Sequence, residues 1–140
     1  MYFRSDQEAR RVLATTWHWP NFSLSELVCR CAGRFCERSY WHDPLFLDRL
    51  QALRTAIGKP LRLTSAHRCS LWNAAIGGGA HSQHKRMAVD ISLNGHDRHQ
   101  VLSAAKQVGF TGFGLAKSFL HLDARAAPAM WYYPGGRGLW

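Results

Sequence analysis

A chain of 140 residues fits one domain and can bury about 68–70% of its unfolded surface without cross-links. Hydrophobic residues at 46% and charged residues at 19% exclude a disordered or low-complexity protein, and no apolar run approaches the ~18–20 residues of a membrane span. Eighteen Lys and Arg against nine Asp and Glu leave a net charge of +9, which favours an anionic partner (nucleic acid, cell-wall polymer or membrane surface) without choosing among them.

The opening MYFRSDQEARR has no apolar core segment, so a classical secretory signal is not expected. Residues 5–14 read as a short polar helix with little apolar content, an appendage to the rest of the chain. Trp17-His18-Trp19-Pro20 breaks it. Ser23 and Glu26 have capping-box spacing, and a short helix starts there. Residues 29–42, with three cysteines and a glycine, read as an irregular loop. The clearest helix is 43–57, with Asp43 as N-cap, Pro44 at its first position and Gly58 as its stop. Residues 61–65 alternate like a strand, 70–76 suggest a short helix before Gly77-Gly78-Gly79, and 87–93 read as a buried strand. Asp97–Val108 is a second good helix, and 110–116 and 118–124 are two further strands. Residues 131–140 form an aromatic, glycine-rich tail. This order predicts an α+β domain on a small, largely antiparallel sheet with one crossover helix, divided as 1–16, 17–131 and 132–140.

Chemistry concentrates in three residues. Asp90 lies inside the apolar stretch Met87-Ala88-Val89-Asp90-Ile91, where a carboxylate is costly unless paired or bound to a metal. Strand alternation puts Phe119, His121 and Asp123 on one face, with Leu120 and Leu122 on the other. His84 stands six residues before Asp90. Two imidazoles and a carboxylate make a three-ligand set that leaves zinc an open position. Taken singly, His84 also reads as a surface or hydrogen-bonded histidine, and Asp90 as the partner of one of the many basic residues.

Four ordered segments carry a family resemblance: Thr64-Ser-Ala-His-Arg-Cys-Ser, Asn73-Ala-Ala-Ile-Gly-Gly-Gly-Ala, Ser82-Gln-His-Lys-Arg-Met-Ala-Val-Asp-Ile and Phe119-Leu-His-Leu-Asp. Together they resemble the zinc D-Ala-D-Ala carboxypeptidase family, which includes phage L-alanyl-D-glutamate endopeptidases and shares its fold with the hedgehog signalling domain. Asn21-Phe-Ser-Leu-Ser-Glu-Leu-Val-Cys is similar to the opening of the phage-type branch. The resemblance spans roughly residues 17–125. It implies one zinc ion held by His84, Asp90 and His121. It implies Arg68 as the grip on a substrate carboxylate, which a planar guanidinium suits, and Ser82 as a supporting residue that also helps bind substrate. The implied activity is hydrolysis of peptidoglycan stem peptides, of D,D-carboxypeptidase or L,D-endopeptidase type. The implied setting is the cell wall or periplasm, reached by lysis, a holin or a phage-like particle, with phage or tail-particle proteins as companions. A non-catalytic, zinc-containing wall-binding or tail module is the alternative. No nucleic-acid motif accompanies the charge.

Two features depart from the family pattern. The interval from His84 to Asp90 is six residues instead of seven and lacks a glycine; His81, nine residues before Asp90, is the other candidate ligand. The acid commonly found three residues before the last histidine is replaced by Ser118. Asp123 is the best remaining acid for the general base, with a role orienting a ligand histidine as the equal alternative; His67 and His81 are other proton carriers. Cys29, Cys31, Cys36 and Cys69 do not match a zinc-ribbon spacing. A disulfide from the loop to Cys69, four free thiols, and a second structural metal all remain open.

Overall fold

The computed structural model describes residues 1–140. In chain order the elements are β1 (Tyr2–Phe3), α1 (Asp6–Leu13), α2 (Leu24–Leu27), β2 (Tyr40–Trp41), α3 (Pro44–Ile57), β3 (Leu63–Ser65), α4 (Ser70–Ala75), a 3-10 turn (Gln83–Lys85), β4 (Val89–Ser92), α5 (Arg98–Gln107), β5 (Gly112–Leu115), β6 (Phe119–Asp123) and β7 (Ala129–Tyr132). The expected α+β architecture is present. A five-stranded sheet runs β3-β4-β6-β5-β7, antiparallel except for the β5–β7 pair, and β1 and β2 form a separate antiparallel ribbon.

Local chemistry explains the helix ends. Asp43 accepts from the Phe46 N–H at 3.1 Å, Pro44 opens α3, and Gly58 closes it in the left-handed region at φ 73°. Ser23 opens α2, with its N–H bonded to the Glu26 carboxylate at 2.8 Å. Asp97 caps α5 through the His99 and Gln100 N–H groups. Helix α3 sends Leu47, Leu50 and Leu53 fully into the core; each such burial is worth about 1.5–3 kcal/mol.

Alternation gives the sheet two unlike faces. Val89 and Ile91, Leu120 and Leu122, and Phe113 and Leu115 all join the main hydrophobic core. Asp90, His121 and Asp123 stand at the alternate positions of β4 and β6 and point to the other side. Glycines 112 and 114 occupy the matching positions on β5. A Cβ at Gly112 would overlap the Asp123 carboxylate, and one at Gly114 would press on His121 and Tyr133.

Three features differ from the sequence reading. Residues 1–16 are not an appendage: Phe3, Ala9 and Leu13 belong to the same core as α3 and the sheet. The polar composition of α1 hides this, because its few apolar side chains share one face. The tail is anchored as well. Its beginning is strand β7, and Trp140 donates from Nε1 to the Ala116 carbonyl at 2.8 Å. The boundary expected at residue 131 therefore falls inside a strand. The short strands β1 and β2 carry no alternation long enough to read from sequence.

Candidate metal centre and its cleft

Strand pairing assembles two of the three expected ligands. Asp90 on β4 lies directly opposite His121 on β6 in the antiparallel register, which brings their side chains together on one face. His84 arrives from outside the sheet, on the 3-10 turn. Ser82 caps that turn by accepting from the His84 N–H at 3.2 Å, and the His84 carbonyl accepts from the Arg68 N–H at 2.7 Å. Only Arg86–Ala88 separate this turn from β4, so the six-residue interval is sufficient. His81 is exposed and stays out of the cluster.

The result is an almost equilateral set of donor atoms. His84 Nε2 to Asp90 Oδ1, His121 Nδ1 to Asp90 Oδ1, and His84 Nε2 to His121 Nδ1 are each 3.1 Å. All three residues are buried. The opposite nitrogen of each ring fixes the tautomer. His84 Nδ1 lies 2.7 Å from the Ala66 carbonyl, and His121 Nε2 lies 2.7 Å from Asp123 Oδ2. A carbonyl and a carboxylate can only accept, so each neutral ring carries its proton on the outer nitrogen and a lone pair on the inner one. Three acceptors then converge with no hydrogen among them. That arrangement is repulsive until a cation occupies it or a ring takes a second proton. Zinc held at about 2.0–2.2 Å in tetrahedral geometry needs ligand separations of roughly 3.3–3.6 Å, a few tenths of an ångström from those seen. The residues fit the ion.

Without the ion, a second ring proton relieves the same cluster. Burial alone would raise the Asp90 pKa, but bonds from protonated inner nitrogens of His121 and His84 hold it well below the usual carboxylate range. Burial would lower that of His121, and the bonds to Asp123 and Asp90 outweigh it and push it up.

Asp123 does not face the open side of this centre. It is 0% exposed and sits behind His121. Arg125 grips it with Nε at 2.8 Å and a terminal nitrogen at 2.6 Å, and the Arg125 N–H adds a third bond at 3.1 Å. Of the two roles open to Asp123 from sequence, its surroundings match the one that orients and polarises His121. The expected role of proton acceptor lacks access to the cleft. Ser118 is an exposed turn residue, and His67 is buried between Ser39 and the Arg86 carbonyl.

A cleft of about 340 Å³ opens over the centre. Arg68 lines it, with Nε on Ser65 Oγ at 3.0 Å, one terminal nitrogen on Asn73 Oδ1 at 3.3 Å and the other on Asp90 Oδ2 at 3.4 Å. A bulge in β3 sets Ser65 beside Asp90, and Asn73 is itself held by the Gly79 carbonyl at 2.9 Å. Three of the five guanidinium N–H groups are thus engaged, leaving one on each terminal nitrogen. Ser82 lines the same cleft.

Sequence reasoning missed Trp131, Tyr133 and Arg125, which also line it. The Trp131 ring lies 5.2 Å from that of His121, and Arg125 stacks 4.7 Å over Trp131. Burial raises the Tyr133 pKa, so its phenol keeps its proton. The only available signal was the aromatic character of the tail; nothing local says that β7 joins the sheet edge next to β5.

Residues 20–123 match the family model described as Peptidase M15. The chain belongs to the peptidase M15 family. A search of curated proteins returns no match. Peptidase M15 membership identifies the chain with the zinc metallopeptidases, and the matched span contains all three donors. No helix of this M15 chain is long and apolar enough to cross a membrane.

Proposed function

We propose that this M15 chain is a zinc peptidase that cleaves peptidoglycan stem peptides, as a D,D-carboxypeptidase or an L,D-endopeptidase. The observation that carries the reading is the set of three converging lone-pair donors beside a half-buried arginine anchored at three points. His84 Nε2, Asp90 Oδ1 and His121 Nδ1 hold the ion. When bound, zinc supplies Lewis acidity, polarising a carbonyl and making water acidic near neutral pH. Arg68 receives a substrate carboxylate through its two remaining N–H groups, and Ser65, Asn73 and Asp90 keep its plane fixed while it does so. Ser82 supports His84 and borders the peptide. Asp123, locked by Arg125, holds His121 in the tautomer that presents Nδ1. Trp131 and Tyr133 wall the cleft. A phage or phage-like setting rests on the resemblance of residues 21–29 alone.

One observation favours the second reading, a zinc-holding wall-binding module. Asp90 is the only carboxylate lining the cleft, and in the first reading it is a ligand. The deciding experiment is mass spectrometry of purified peptidoglycan incubated with the zinc-loaded protein, with and without chelator. New muropeptides that vanish with chelator are expected, and the mass lost names the bond. Intact peptidoglycan from several wall chemotypes, with the zinc demonstrably bound at this centre, would leave the binding module.

A further inference from the structure

Away from the M15 centre, Cys29, Cys31, Cys36 and Cys69 bring their four sulfurs within 4.8 Å of one another. We infer that these cysteines bind a second zinc ion, in a structural tetrathiolate site that pins the loop after α2 to the start of α4.

The sulfurs form a single cluster and not two pairs. Cys31 Sγ and Cys36 Sγ are 3.5 Å apart, and all four thiols are unbonded. A zinc ion with Zn–S of about 2.3 Å in tetrahedral geometry needs sulfur–sulfur separations of about 3.8 Å, and closed Cys₄ sites are structural. Backbone N–H groups already point at the sulfurs: that of Cys69 lies 3.3 Å from Cys29 Sγ, that of Ser39 3.5 Å from Cys36 Sγ, and that of Trp72 3.4 Å from Cys69 Sγ. Such bonds spread the charge of thiolate ligands and orient them.

The loop itself gives an independent reason. Residues 29–39 contain no helix or strand, and their only buried side chains are those of Cys29, Cys31 and Ser39. Ala32 and Arg38 adopt positive φ, at 58° and 57°, which costs an L-residue on the order of 1–2 kcal/mol each. A loop with strained turns and no apolar anchor needs another source of order, and convergent cysteines provide it through metal binding. The far ligand, Cys69, follows Arg68 directly. His67, before it, contacts Ser39 Oγ at 3.2 Å, and that hydroxyl lies 3.3 Å from Cys36 Sγ. The site therefore braces the segment that presents Arg68 to the cleft.

The test is the zinc content of the full chain, purified under reducing conditions, for the unaltered protein, Cys36→Ser and His121→Ala. Two zinc ions per chain are expected in the first and one in each variant. The cobalt-loaded unaltered protein and His121→Ala should both show sulfur-to-cobalt charge-transfer absorption, which Cys36→Ser should lack. If Cys36→Ser fails to fold, thiol labelling of the unaltered protein decides: four thiols protected until a chelator releases zinc support the site. A single zinc lost in His121→Ala, no sulfur-to-cobalt band, and thiols that are disulfide-bonded or freely labelled without chelator would overturn it. A single zinc in the unaltered protein, retained in His121→Ala with the charge-transfer band intact, would refute the zinc-hydrolase reading and leave this one standing.

Discussion

The histidine–aspartate centre and the cysteine cluster are built in opposite ways. The first sits on paired strands, where register alone sets Asp90 against His121, and the core on the reverse face of the sheet holds both. The second joins a loop that carries Cys29, Cys31 and Cys36 to Cys69 at the start of α4, and apart from a few backbone bonds the loop has no regular structure to hold it. Removing a ligand from the first should cost chemistry and spare the fold; removing one from the second should cost order before chemistry. A preorganised sheet is the natural place for reacting groups, because ligands there need no folding energy from the ion.

The largest expected effect is on activity. His121→Ala should abolish chelator-sensitive peptidoglycan cleavage while leaving the thermal midpoint within a few degrees, read by circular dichroism. A collapse of the fold would show that the centre is as metal-dependent for order as the loop, and the contrast would fail.

Asp123→Asn should weaken metal binding at the centre by about 10–100-fold, as loss of an outer partner of a ligand histidine does, with activity recovered at high zinc. Competition with a chromogenic chelator measures it. Zinc affinity unchanged with turnover abolished would instead give Asp123 the proton-accepting role that its burial argues against.

Gly112→Ala tests the same residue through sterics. The added methyl would collide with the Asp123 carboxylate, and overpacking of this kind costs about 1–3 kcal/mol. Urea denaturation should show that loss together with weaker zinc binding, whereas Gly138→Ala, with open space around it, should show neither.

The smallest effect concerns acid. His42 is buried, and burial first and the N-terminal ammonium second push its pKa below 6.5. The unfolded chain therefore takes up a proton near that pH that the folded chain refuses, so stability should fall as pH drops through 6.5. His42→Gln should flatten that slope in thermal melts taken above and below it, with the zinc content of both sites unchanged.

Much of the fold was legible because its signals are local. Asp43-Pro44 and Gly58 bracket α3, the capping spacing of Ser23 and Glu26 opens α2, and the alternation in Phe119–Asp123 sorts leucines from His121 and Asp123. The donor set was legible for a related reason: a carboxylate amid Val89 and Ile91 needs a partner, and motif order supplied its neighbours. The role of Asp123 was not legible, since strand alternation puts it on the face of His121 but does not say that Arg125 closes over it.

By itself, then, the sequence determined the helix limits, the two faces of the sheet and the residue types able to hold a metal, because each depends on periodicity or on the chemistry of one short segment. Only the tertiary structure decided which of those groups meet. The register of β4 on β6, the parallel docking of β7 that brings Trp131 and Tyr133 to the cleft, and the closure of a 40-residue interval between Cys29 and Cys69 are all long-range. Such contacts form where core packing returns more free energy than closing the chain costs, and no single segment carries that balance.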